Sequence, residues 1–159
     1  MFAIGDKVVY PMHGAGIIEQ IEEKEVLGRR QRYYVMMLPM GDMKVMIPVE
    51  SSETVGLRHV IAREHIAQVL EVLHGQASQM PANWNRRYRD NLDKLKTGDI
   101  FAVAEVVRNL SIREREKGLS TGERRMLDNA RQILVSELVL SSGLAPEKAE
   151  EAVAQAVSQ

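Results

Sequence analysis

The sequence predicts an α+β protein of two domains, a small β-barrel over residues 1–52 and an all-α bundle of five helices over residues 64–159. Three observations predict this class. Short runs rich in Val, Ile, Tyr and Met fill the first fifty or so positions, apolar residues recur every three or four positions after residue 64, and glycine or proline separates consecutive segments. Residues 53–63 have a weak pattern and are interpreted as a linker between the domains.

The first domain is predicted to contain four or five short strands. Turn residues separate the runs at 11–14, 27–29 and 39–42. The runs share a high content of residues that favour strands, and they are KVVY (7–10), AGIIEQIEE (15–23), RYYVMML (32–38) and MKVMIPV (43–49). Short strands joined by tight turns are typical of a strongly bent barrel of the SH3 or Tudor kind. Such a small barrel leaves strand edges exposed, and segments 20–26 and 43–47 are the candidates to accept a partner's strand.

The second domain is predicted to contain five amphipathic helices. Each has an apolar stripe at helical spacing, and most of them end at a glycine or begin at a capping residue. In chain order, the helices are a segment ending at Gly75, a segment near 83–97 ending at Gly98, a segment near 99–117 ending at Gly118, a segment opened by the Ser120/Glu123 capping box and ending at Gly143, and a last segment beginning at Pro146.

The composition narrows the class of protein. A formal net charge of −1 with 45% hydrophobic and 27% charged residues is ordinary for a soluble globular chain. Without cysteine there is no disulfide, thiolate metal site or cysteine nucleophile. No long apolar run or secretion signal is present, so we expect a cytoplasmic protein that does not enter a membrane. The four histidines lack metal-binding spacing, and nucleotide-binding and hydrolase motifs are absent. We therefore expect no catalytic site, no metal and no cofactor, and interpret the protein as not an enzyme.

Basic charge is concentrated in the middle of the chain. Residues 81–132 carry twelve Lys or Arg against eight Asp or Glu, whereas residues 133–159 carry one against four. Inside the basic block, residues 83–91 read NWNRRYRDN and place the single tryptophan, Trp84, among several arginines. A locally basic segment in a neutral chain is typical of an anion-binding surface, although two solvated helical faces would have the same composition.

The position of Trp84 allows two interpretations. The stripe Trp84, Tyr88, Leu92 and Leu95 would point the indole into the helical core. Its place in the first turn of a helix, followed by arginines, instead favours an exposed ring beside a phosphate-binding surface. An aromatic wedge beside such contacts is one way in which proteins enter a minor groove or cap an unstacked base.

Motifs in both halves of the chain resemble a known family. They are GDKVVYPMHGAG (5–16), IPVE (47–50), VGLR (55–58), PANWNRRYRDNLDKLKTGD (81–99), VAEVVRNL (103–110) and EKGLSTGERRMLDNARQILVSEL (116–138). In this order they resemble the CarD (CdnL) family of bacterial RNA polymerase-binding transcription regulators. The resemblance implies a Tudor-like domain that docks on the polymerase β subunit. It also implies a helical domain that binds promoter DNA without reading its sequence and stabilises the open promoter.

The resemblance also implies roles for individual residues. Trp84 is similar to the family's wedge at the upstream edge of the transcription bubble. The candidate DNA contacts match the family's basic positions or lie in the same arginine run, and they are Arg86, Arg87, Arg89 and Arg124. The candidate polymerase contacts lie on the exposed strand segments, and they are Lys24, Val26 and Met46. Some relatives have a basic residue where this chain has Met46, so we expect an apolar or backbone-dominated contact there.

A second hypothesis belongs to a different class. The protein would be a protein–protein adaptor without direct DNA contact, its helices would recruit another protein, and Trp84 would belong to the core. Under the first hypothesis we expect a monomer that is associated with the nucleoid through RNA polymerase.

Overall fold

The computed structural model describes residues 1–40 and 42–158, so that Gly41 of the predicted 39–42 turn and Gln159 of the predicted helical domain lie outside the described residues. The chain folds into an antiparallel five-stranded sheet followed by five α-helices. The strands are β1 (Lys7–Tyr10), β2 (Gly14–Val26), β3 (Arg29–Leu38), β4 (Met43–Pro48) and β5 (Arg58–His59). The helices are α1 (Ile66–His74), α2 (Trp84–Lys96), α3 (Ile100–Glu116), α4 (Thr121–Ser142) and α5 (Pro146–Val157). The predicted fold class, a Tudor-like domain followed by a helical domain, is confirmed.

The strand order is β4-β3-β2-β1-β5, so β4 and β5 form the two edges of the sheet. The fifth strand, β5, lies within the segment 53–63 that the sequence suggests is a linker, and its two residues pair with Val8 and Val9 of β1. Residues 58–59 contain an arginine and a histidine rather than an apolar run, which is why alternation does not reveal this strand. The sheet therefore extends past residue 52.

Strand β2 has two parts. Residues 14–17 pair with β1, and the register with β3 shifts between Ile18 and Gln20, which indicates a β-bulge at Glu19. From Gln20 to Val26, the described pairings of β2 are with β3 alone. This far part of the β2–β3 hairpin therefore extends beyond β1, and both predicted edge segments are on free sheet edges.

Each domain has its own core. The sheet domain buries Val8, Ile18, Tyr34, Met36 and Ile47 around one another, and the Tyr34 hydroxyl accepts a hydrogen bond from the Phe2 backbone N–H at 3.0 Å. The helical domain packs α3 against α4, and these two helices provide most of its buried side chains. The apolar stripes of α3 and α4 are buried, and their residues are Ile100, Val103, Val107, Leu110, Leu127, Ala130, Leu134 and Leu138.

The helix ends follow the predicted capping chemistry. The Ser120 hydroxyl accepts from the Glu123 backbone N–H at 3.1 Å and caps α4, and the Asp99 carboxylate caps α3 by accepting from Phe101 N–H at 3.0 Å. At the other end of α4, Gly143 has φ = 79°, a conformation that a side chain would strain. These caps fix where α3 and α4 begin, and so position the residues beside them.

Candidate nucleic-acid interface and docking edge

Trp84 lies at the first residue of α2, where Asn83 caps the helix by accepting from Arg86 N–H at 3.0 Å. The indole stacks on Tyr88 with a centroid distance of 5.0 Å and an interplanar angle of 18°. Its Nε1–H donates to the Ser120 hydroxyl at 2.8 Å. Trp84 nevertheless remains 40% exposed. The ring is thus held in one orientation at the surface, and it is neither a core side chain nor a freely rotating one.

The contact between Trp84 and Ser120 brings the N-termini of two helices together, because Trp84 opens α2 and Ser120 caps α4. A Cβ on Gly122 would lie 3.4 Å from the indole, so a larger side chain in the first turn of α4 would crowd the ring. Helix N-termini carry partial positive charge from their free N–H groups. The exposed indole therefore sits where two such charges meet.

Exposed arginines lie on the same two helices. Arg86 and Arg89 are exposed on α2, and Arg124 is exposed in the first turn of α4. Arg124 lies 3.7 Å from the Glu114 carboxylate, but its side chain is 58% exposed. An exposed pair at this distance contributes little and exchanges readily with another anion. Three of the four predicted DNA-contacting arginines are therefore accessible to solvent.

The structure corrects the prediction for Arg87. Its side chain is 4% exposed and its Nε–H and Nη2–H donate to both carboxylate oxygens of Glu123 at 2.7 and 3.2 Å. The Nη1 group donates to the backbone carbonyls of Ala82 and Pro81. Arg87 is therefore an internal residue that connects the turn before α2 to the first turn of α4 by hydrogen bonds. Its guanidinium is not accessible to a DNA phosphate.

Helix α2 buries a different side from the one that its apolar stripe predicts. The buried residues of the helix are Arg87, Asn91 and Leu95, whereas Tyr88 and Leu92 are half-buried. The helix is thus rotated by about one residue from the orientation that the apolar pattern predicts. Arg87 is buried because Glu123 satisfies its charge, and this partner lies 36 positions away in the sequence.

A hydrogen-bond chain connects the indole to the buried ion pair. The Ser120 hydroxyl, which accepts from the indole, donates to Glu123 Oε1 at 3.3 Å, and Glu123 in turn binds Arg87. Burial raises the pKa of Glu123, but the hydrogen bonds and charge of Arg87, together with the hydrogen bonds from Ser120, outweigh it and hold the pKa below its ordinary value. Glu123 is therefore a carboxylate at neutral pH.

Several of these supporting residues are not assigned a role in the site by the sequence analysis. Ser120 and Glu123 are recognised as a capping box, but their contacts with Trp84 and Arg87 are not anticipated. The sequence indicates them only through STGE, the polar segment at the N-terminus of another helix of the bundle. Only the packing of α2 beside α4 turns that cap into part of the site.

The predicted docking residues lie on the sheet domain, on strands β2 and β4. The register places Lys24, Val26 and Met46 on one face of the sheet. Their partners on β3 are separated by even numbers of residues, so the partner side chains all point to that same face. The Lys24 ammonium is 3.7 Å from the Met46 sulfur. Val26 and Met46 are 44% and 39% exposed, and β4, which carries Met46, is an edge strand. The three residues therefore lie on one face of the sheet, on the two strands that flank β3, and we call this surface with the free strand edges beside it the docking edge.

Two features are absent from residues 1–40 and 42–158. These residues contain no group of three or more His, Asp or Glu residues arranged to hold a metal ion. None of the helices in this part of the chain combines the length and the apolar character needed to cross a bilayer.

Two family models match this chain, one in each half. Residues 2–61 match the family model described as CarD-like/TRCF RID domain, and residues 68–154 match the model described as CarD, C-terminal domain. A Bacillus subtilis (strain 168) protein named "Putative transcription factor YdeB" is 46% identical over 147 residues, which is 91% of this chain and 94% of that protein. The solution NMR structure of the 72-residue N-terminal domain of Myxococcus xanthus CarD matches 37% of this chain and 79% of its own, with 32% identity and a TM-score of 0.33.

A polymerase-interacting sheet domain followed by a helical domain defines a class of transcription-associated proteins. This chain belongs to the CarD/CdnL family.

Proposed function

We propose that this protein regulates transcription initiation by binding two partners at once. The docking edge binds the β subunit of RNA polymerase, and the surface around Trp84 contacts promoter DNA at the upstream fork of the transcription bubble and stabilises the open complex. One observation carries the DNA part of this proposal. Trp84 is held in a fixed orientation, partly exposed, at two converging helix N-termini, and the same two helices carry exposed arginines.

The chemistry of a fork suits this surface. The fork has one incompletely stacked base step and closely spaced phosphates. A rigid indole that fills the open step opposes re-annealing, and stacking of this kind contributes roughly 1–3 kcal/mol. Arg86, Arg89 and Arg124 can bind phosphates, and phosphate contacts position a protein without reading sequence. The proposed contact is therefore tolerant of sequence.

The docking edge supports the polymerase part of the proposal. A free strand edge offers unpaired backbone groups to a partner's strand, and the apolar Val26 and Met46 provide side-chain contact beside it. Neither contact needs high affinity by itself, because docking on polymerase raises the effective concentration of the helical domain at the DNA. One copy of the chain contains both surfaces, so we propose that it acts as a monomer, in the cytoplasm and on the nucleoid through polymerase.

Reversing three charges tests the DNA contact. Changing Arg86, Arg89 and Arg124 to Glu should abolish the effect on open-complex lifetime, because the fork's phosphates would then meet repulsion. Binding to the isolated β subunit should persist. Open-complex lifetime is measured by challenge with a competitor, and the position on DNA by footprinting the polymerase–promoter complex. An unchanged footprint and lifetime would favour a protein–protein adaptor without DNA contact.

A matched triple variant controls for lost positive charge. The same change at Arg63, Lys96 and Lys148 reverses three exposed cations that belong neither to the Trp84 surface nor to the docking edge. We expect this control to retain a footprint at the fork. The stabilising effect of the unmodified protein should also fall as salt concentration rises, because phosphate binding releases counterions.

Lys24→Glu tests the docking edge. The new carboxylate would lie near Glu22 and beside the apolar Met46, so we expect a roughly three- to tenfold weaker affinity for the β subunit, mostly through slower association. Titration of the immobilised β subunit measures this directly. Arg115→Glu, an equal charge change on the exposed surface of α3, should leave the affinity unchanged. Equal losses in both variants would contradict a local contact at Lys24.

A further inference from the structure

The two domains are connected by a partly buried ion pair. Arg58 of β5, the last strand of the sheet domain, donates from both Nη groups to the two carboxylate oxygens of Glu137 on α4, each at 2.7 Å. The Nε–H of Arg58 donates to the Gly98 carbonyl in the α2–α3 turn at 2.8 Å. Glu137 also accepts from the Ile61 backbone N–H at 2.8 Å. One arginine thus fixes the sheet domain to two separate elements of the helical domain.

A second set of contacts lies on the other side of the same interface. The Ser136 hydroxyl of α4 accepts from the Ala15 backbone N–H at 2.9 Å. A Cβ on Gly14 would lie 3.0 Å from that hydroxyl, and a Cβ on Gly98 would lie 2.7 Å from the Pro11 ring. The turn between β1 and β2 therefore fits closely against α4 and the α2–α3 turn.

Close to Arg58 the interface leaves little free space, whereas a larger cavity of about 200 Å³ lies between Met12 of the β1–β2 turn and Ser136 of α4. A cavity of about 10 Å³ lies between Arg58, Leu95 and Glu137, enough for one water at most. The Glu137 side chain is 3% exposed and that of Arg58 is 30% exposed. A bidentate arginine–carboxylate pair is directional, and a close-packed surface does not slide without losing contacts. Together these features specify one relative orientation of the two domains, where a flexible linker would allow many.

We infer that Arg58 and Glu137 are positioning residues that hold Trp84 at a fixed place relative to the docking edge. This inference rests on the proposed function and adds the coupling between its two surfaces. Once the sheet domain docks on polymerase, a rigid connection confines the indole to a small volume at the fork. A flexible connection would spread the indole over many positions and reduce its effective concentration there.

The test uses the full chain with Arg58→Glu, which faces Glu137 with a second carboxylate while leaving both cores intact. NMR relaxation should show one rotational correlation time for the unmodified protein and two different times, one for each domain, in the variant. Affinity for the isolated β subunit should remain within about twofold, since the docking edge is untouched. The lifetime of open complexes should fall roughly tenfold, because tethering no longer aims the indole.

Two further variants make the result specific. Arg58→Glu combined with Glu137→Arg restores opposite charges, and it should recover a single correlation time and most of the lifetime. Arg63→Glu, an equal charge change at an exposed residue near β5, should behave like the unmodified protein. If Arg58→Glu fails to fold, Ser136→Leu provides a second way to separate the domains, because its side chain would collide with Gly14.

The outcomes separate this inference from the proposed function. A single correlation time in both Arg58→Glu and Ser136→Leu would overturn the positioning role. Domains that tumble separately in these variants would also overturn it, if the variants keep a normal open-complex lifetime while Trp84→Ala shortens that lifetime. If Trp84→Ala also leaves the lifetime unchanged, the proposed function fails, and the coupling inferred from it fails too. In that case the correlation times still decide whether Arg58 orients the domains.

Discussion

Replacing Arg87 with methionine should lower the free energy of unfolding by roughly 3–5 kcal/mol, the cost of leaving one member of a buried ion pair without its partner. Glu123 is 2% exposed, and its carboxylate would retain hydrogen bonds from Ser120 alone. The turn before α2 would also lose its two carbonyl contacts with the arginine. Urea denaturation followed by circular dichroism measures the change.

Two controls distinguish the lost ion pair from the substitution itself. Arg86→Met, one position earlier and exposed, should change the stability by less than about 0.5 kcal/mol. Arg87→Met combined with Glu123→Met removes both charges while keeping side-chain volume, and should recover much of the lost stability. A loss of under about 1 kcal/mol in Arg87→Met alone would show that the pair contributes little.

The same ion pair predicts how stability depends on pH. The pKa of Glu123 in the folded protein lies below its ordinary value of 4.5, so the folded state binds this proton less tightly than the unfolded state does. The resulting stability is present in full above that ordinary value and is lost as the pH falls through the folded-state pKa. The stability difference between the unmodified protein and Glu123→Gln should therefore shrink on acidification.

Trp84→Ala should shorten the lifetime of open complexes about tenfold, since loss of one stacked base step is worth roughly 1–3 kcal/mol. Affinity for the polymerase β subunit should not change. The stability cost should be only about 1–2 kcal/mol, from one hydrogen bond and one aromatic pair, because the ring is 40% exposed. Trp84→Phe should retain part of the lifetime, since the smaller ring can still stack.

Leu144 offers a matched control for this change. It is 46% exposed and follows the C-terminal end of α4, about 33 Å along the 22-residue helix from Ser120. Leu144→Ala removes a similarly exposed apolar side chain and should leave the open-complex lifetime unaltered. A stability loss above about 3 kcal/mol in Trp84→Ala, with a normal lifetime per folded molecule, would place the indole in the core and exclude the wedge.

The elements that the sequence predicts well are those with a local physical cause. The apolar residues of α3, from Ile100 to Leu110, repeat at helical spacing. Ser120 and Asp99 are residue types that cap helices, and each lies directly before the helix that it caps. The exposed edge carrying Met46 also follows from local alternation and turn positions. In each case neighbouring residues contain the information.

The elements that the sequence does not predict depend on partners far along the chain. Arg87 is buried because Glu123 neutralises its charge. Strand β5 forms because Arg58 and His59 pair with residues of β1. The interface at Glu137 joins residues separated by 79 positions in sequence. Buried charges contradict the simple rule that polar residues face water, so only the three-dimensional pairing reveals them. The candidate arginines of the DNA surface could be named from sequence, but their division into exposed and internal members could not.

The hydrogen bond from Trp84 to Ser120 has a consequence for discrimination among DNA sites. An indole has a single polar hydrogen, and here it is engaged inside the protein. The exposed part of the ring can offer a base a flat apolar surface and nothing with which to distinguish adenine from guanine or cytosine from thymine. In the proposed complex, preference would therefore arise from the nucleic acid itself, at those base steps that unstack at the lowest energetic cost.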